Sequence, residues 1–108
     1  MLVAAPLMMM LAAAPQSPDA VGMGRKAFSE CLSKQIQPAL DKKVTLSDFR
    51  AMLKEKCGDK EAAFRAAVLA DDKSSGMAAK DAASDADDQV SEYVDKITGE
   101  FEDYAKGG

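Results

Sequence analysis

The sequence predicts an all-α protein: a small four-helix, bundle-like domain with one disulfide, following an N-terminal signal peptide. Three observations point there. Apolar residues recur at steps of three and four, while no run of Val, Ile and Thr alternates with polar residues as a half-buried strand would. Ala, Lys, Asp, Glu and Leu dominate, and most of these favour helix. The only two cysteines, Cys31 and Cys57, fall on two of the apolar stripes.

From Met1 to Pro15 no side chain is charged, and the first charged one is Asp19. Such a run is too short to span a bilayer, which needs roughly 20 residues. It matches a signal-peptide core ending in small residues, where Ala12-x-Ala14 suits a peptidase. No Lys or Arg precedes the run, and Pro15 directly follows that cleavage point, so cleavage after Ala13 is an alternative. The other alternative is a buried or disordered tail. The expected division is 1–14 as signal peptide and 15–108 as helical domain, exported to the periplasm or secreted.

The remaining chain, about 94 residues, buries only about 60–65% of its unfolded surface and gains from a covalent staple. In an oxidising compartment two cysteines are expected to pair. Closing a loop of about 27 residues contributes roughly 3 kcal/mol on the chain-entropy account. Zinc is disfavoured, because two thiols and no histidine fall short of four ligands.

Four helical segments follow. The first starts at Ser17-Pro18, a cap followed by proline in the first turn. Gly22 and Gly24 weaken its opening, so its firm part begins near Arg25. Phe28, Cys31, Leu32 and Ile36 share one face, and Pro38 ends or kinks it, because Gln37 before it is pushed out of the helical region. The second has a capping box in outline, Thr45-Leu46-Ser47-Asp48, with Val44 and Phe49 as hydrophobic staple. Phe49, Met52, Leu53 and Cys57 form its face, and Gly58 closes it as a C-cap. The third is capped by Asp59, buries Phe64 and Val68, and stops in Asp72-Lys73-Ser74-Ser75-Gly76. The fourth runs from about Ala78 to Ala105, with Val90, Val94, Ile97, Phe101 and Tyr104 on its stripe. Upstream that stripe thins to Ala79, Ala83 and Ala86. Each segment thus brings one phenylalanine to a single core.

Two stretches match the calcium-binding helix-loop-helix pattern only in part. From Gln37 to Asp48, Gln37 and Ala39 replace carboxylates and Lys42 stands where glycine makes the turn. From Asp71 to Ala82, Lys73 and Ala82 occupy ligand positions. Both stretches are explained better as capped helix starts. Met23, Met52 and Met77 are too scattered for a soft-metal set and are read as core filling. No cofactor is implied.

Charge is unevenly placed. Asp19 to Ala70 carries ten basic and seven acidic residues, whereas Asp71 to Asp103 carries eleven acidic and three basic. On the last segment Asp81, Asp85, Asp88, Glu92 and Asp95 recur at steps of four, three, four and three. Like charges at that spacing cost a few tenths of a kcal/mol each, offset where Glu92 pairs with Lys96. The stripe is read either as a solvated face, which the basic first half could oppose, or as an interaction surface for a protein partner. Nucleic acid and anionic membranes are disfavoured, since both would repel it. Without histidine the commonest general base is missing, and no serine stands in a nucleophile context, so no enzyme is expected. The expected role is protein or ligand binding in the cell envelope; the alternative is an acidic envelope protein that binds divalent cations weakly.

Overall fold

The computed structural model describes residues 19–107. The signal peptide expected at 1–14 and the Ser17-Pro18 helix start lie outside them. The described residues are helical throughout, apart from turns, and contain no strand. The elements are α1 (Asp19–Lys34), α2 (Ile36–Lys42), α3 (Leu46–Ser74) and α4 (Ala79–Gly107). None of these helices is long and apolar enough to cross a membrane.

α1 and the short α2 are one helix broken at Gln35. Proline at 38 has no N–H to return to Lys34, so the ladder is interrupted a turn earlier. The Gln35 N–H bonds Leu32 O at 3.1 Å, and the Gln35 side-chain amide takes up Cys31 O at 3.1 Å. Gln37 stays helical, contrary to the expectation from its position before proline, because Pro38 sits in the first turn of α2 where its missing N–H costs nothing. α2 ends in a Schellman motif: Lys43 is left-handed (φ 52°, ψ 44°), its N–H reaches Leu40 O, and Val44 N–H reaches Ala39 O.

α3 starts as expected. The Thr45 hydroxyl accepts the Asp48 N–H at 3.1 Å, while Val44 and Phe49 both pack into the core. The expected break at Gly58 is absent, and the second and third segments are one 29-residue helix. Gly58 therefore does not cap, and Asp59 is an exposed mid-helix residue. The reason lies in packing. Phe49, Leu53, Cys57, Phe64 and Val68 form a single buried stripe that continues through Gly58 at helical spacing. That burial outweighs the roughly 1 kcal/mol that glycine costs inside a helix. α3 ends in a second Schellman motif, this time with glycine: Gly76 (φ 96°) bonds Lys73 O and Met77 N–H bonds Asp72 O.

α1 and α4 both run antiparallel to α3 and pack chiefly on it. On one side Cys31 is bonded to Cys57, with Cα atoms 5.8 Å apart, inside the range that a disulfide can bridge. Further along the same contact, Gly24 faces Phe64. A Cβ on Gly24 would lie 3.1 Å from the Phe64 Cα, so this glycine sets the close approach of the two helices. Gly24 is thus a contact residue within α1, where the sequence suggested a weak opening turn.

The core has two aromatic centres. Phe28, Phe64 and Tyr93 join α1, α3 and α4, with ring centroids 5.8–6.4 Å apart. Phe49 and Phe101 form the second. The stripe of α4 is rotated slightly from the expected one: Ala82 and Ala86 are buried while Ala79 and Ala83 are exposed. Tyr93 packs inward, and Tyr104 is 58% exposed. Of the three methionines read as core filling, only Met52 packs against the core; Met23 is 69% exposed and Met77 38%.

Candidate functional site

The acidic residues of α4 from Asp81 to Asp95 fall into three environments. Asp81, Asp88, Glu92 and Asp95 are exposed on the side of the helix away from Ala82, Ala86, Val90 and Ile97, which are buried. Their side chains have no ion-pair or hydrogen-bond partner among the described residues, and Glu92 does not reach Lys96. From Asp81 to Asp95, 14 residue steps, they line about 21 Å of helix at 1.5 Å per residue. Asp87 lies on one flank and pairs with Arg65 of α3, which also bonds Glu61 at 3.2 Å. Asp85 lies on the other flank, half-buried, where it accepts the Gln89 amide at 3.0 Å and faces Asp72 at the end of α3.

The five residues singled out in the sequence thus separate four to one. Asp85 is turned to its neighbouring helix, and the other four face solvent. The ion pair that joins α3 to α4 uses Asp87, outside the sequence stripe. Sequence reasoning also missed Asp72. The neighbouring Asp85 carboxyl above all, then desolvation and the charge of Asp71, raise its carboxyl above the ordinary aspartate value. The available signal was its place next to the Ser74-Ser75-Gly76 turn, which folds α4 back onto the last turn of α3.

Two of the crevices among the described residues are mainly apolar. One, of about 420 Å³, is lined by Leu32, Leu53 and Val94, with Arg50 and Lys54 beside it. The other, of about 410 Å³, is lined by Leu40, Val44, Phe101 and Tyr104. Both are the size of a small-ligand site. The first contains a single carboxylate, Glu61, which Arg65 already engages; the second contains none. Cys31 and Cys57 are consumed in the disulfide and offer no thiolate. Among the described residues no three His, Cys, Asp or Glu side chains gather in a metal-binding cluster. No family model matches this chain, and no curated protein or solved structure is significantly similar to it.

Proposed function

We propose that the domain acts by binding, with the exposed carboxylate face of α4 docking a basic protein partner in an oxidising compartment outside the cytosol. The observation that carries this reading is the row of Asp81, Asp88, Glu92 and Asp95, four solvent-facing carboxylates without partners among the described residues, on a helix whose opposite side is fixed in the core. Repulsion along such a row is relieved when a cationic surface covers it, and opposite potentials speed encounter. The Cys31–Cys57 bond supports the oxidising location. No chemistry of its own is assigned to the domain.

The test is retention of proteins from an envelope extract on the immobilised domain at low and high salt, beside calorimetry with calcium and zinc. Salt-sensitive retention with no metal heat is expected. A saturable heat at micromolar metal would replace this reading with the cation-binding one.

A further inference from the structure

The crevice over Leu32, Leu53 and Val94 is a trench along α3, with a floor drawn from α1, α3 and α4. Arg50 and Glu61, its outermost lining residues on α3, stand eleven residue steps apart, so it follows the helix for about 16 Å at 1.5 Å per residue. The two ends differ in charge. Glu61 at one end is held by Arg65 at 3.2 Å, so its charge is already met. Arg50 and Lys54 at the other end are exposed, and neither side chain has a hydrogen bond or ion pair among the described residues. None of the positions three or four away from either residue on α3 is Asp or Glu, so no carboxylate can pair with them within the helix. The two cations are themselves four residues apart, and an anion between them relieves their mutual repulsion.

We propose that this trench binds an amphiphilic anion, an unbranched apolar chain ending in a carboxylate, with the head held by Arg50 and Lys54 and the chain laid over Leu53, Leu32 and Val94.

The charge pattern sets the polarity of the ligand. A carboxylate matches the planar fork of Arg50 with two parallel hydrogen bonds, and Lys54 supplies a further donor from one turn away. Between these cations and Glu61 the side chains lining the trench are apolar, and the negative charge of Glu61 disfavours a second acidic end on the ligand. A chain suits the site better than a compact ring, because the trench follows one helix for about three turns. Covering the floor removes apolar surface from water at about 25 cal/mol per Å², while the head stays at an exposed rim and avoids the cost of a buried charge. None of Asp81, Asp88, Glu92 and Asp95 borders the trench, so this site is separate from the docking face on α4.

The test titrates the full domain with dodecanoate below its micelle concentration, read by calorimetry and by NMR shifts of methyl and amide groups. Saturable binding is expected, with shifts concentrated on the methyls of Leu32, Leu53 and Val94 and on the amides around Arg50 and Lys54. Dodecyltrimethylammonium, which has the same chain and the opposite charge, should bind at least about tenfold more weakly, and so should acetate, the head alone. The paired variant Arg50→Gln, Lys54→Gln should weaken dodecanoate by about tenfold or more while melting like the parent, because both side chains are exposed. Ala51 lines the trench from an exposed position, so Ala51→Phe should obstruct the chain and weaken binding while leaving both cations in place. Absence of saturable binding, equal binding of the two dodecyl compounds, undiminished binding by the Arg50, Lys54 variant, or shifts centred instead on Phe101 and Tyr104 would overturn the proposal.

Discussion

Phe49 and Phe101 lie face to face, with ring centroids 4.2 Å apart and planes inclined by 12°. One stands in the first turn of α3 and the other near the end of α4, so this pair closes the hairpin at the end away from its turn. Both rings are almost fully buried. Removing one leaves a cavity between helices that have little else to fill it. Phe101→Ala should cost about 3–5 kcal/mol, a large share of the roughly 5–15 kcal/mol typical of a domain. Phe101→Leu keeps most of the volume and should cost distinctly less. Denaturant midpoints at unchanged slope measure both, and equal losses would mean that the ring itself contributes nothing.

The disulfide should contribute as its loop length implies. With 26 residues of separation, losing the bond should cost about 3 kcal/mol. The paired variant Cys31→Ala, Cys57→Ala should then melt about ten degrees or more below the parent. An unchanged melting point would show the bond to be energetically idle, with α1 held by packing alone.

Two glycines should respond in opposite directions to the same substitution. A Cβ at Gly58 meets nothing within 4 Å, and its φ is not positive, so Gly58→Ala should stabilise by about 0.5–1 kcal/mol. At Gly24 the added methyl would press on the Phe64 backbone, so Gly24→Ala should destabilise despite the better helix propensity. Thermal melts decide both. Destabilisation by Gly58→Ala would return that residue to the role of a left-handed cap and break α3 in two.

Lys43 is the one non-glycine residue with positive φ among those described. Left-handed backbone costs an L-residue about 1–2 kcal/mol, partly offset by the entropy that glycine loses on folding. Lys43→Gly should therefore raise stability by about 0.5–1 kcal/mol in chemical denaturation. A loss would mean that the lysine side chain makes a contribution larger than the backbone cost.

What was legible in the sequence was local chemistry. The Thr45 cap and the Val44–Phe49 staple depend on residues at most five positions apart, and the structure places them as expected. The glycine turn at 76 is of the same kind. The cysteine pairing was also legible, because two apolar faces separated by a short connection have few ways to meet. Gly58 misled because glycine after an apolar run signals a helix end, whereas the continuing stripe to Phe64 and Val68 is satisfied only by a straight helix against α1 and α4. The same limit applies to the acidic stripe. Spacing places Asp85 with Asp88 and Glu92, but the buried line of Ala82, Ala86 and Val90 sets the helix so that Asp85 falls on its flank, half-buried. Tyr93 and Tyr104 exchanged roles for a comparable reason: both fit an amphipathic stripe, and only the position of Phe28 and Phe64 selects the first.

The exposed carboxylates are the part of the molecule on which the binding proposal stands. The most direct measurement compares the domain with a variant carrying Asp81→Asn, Asp88→Asn, Glu92→Gln and Asp95→Asn, both immobilised in the same envelope extract and melted in parallel. Relief of like-charge repulsion should leave the variant as stable as the parent or slightly more so, within about 0.5 kcal/mol. The parent should retain a partner at low salt and release it as exposed charges are screened over about 10 Å at 0.1 M. The variant should retain none of it. Equal retention by both proteins, or retention by the parent that salt does not weaken, would contradict docking through the carboxylate face.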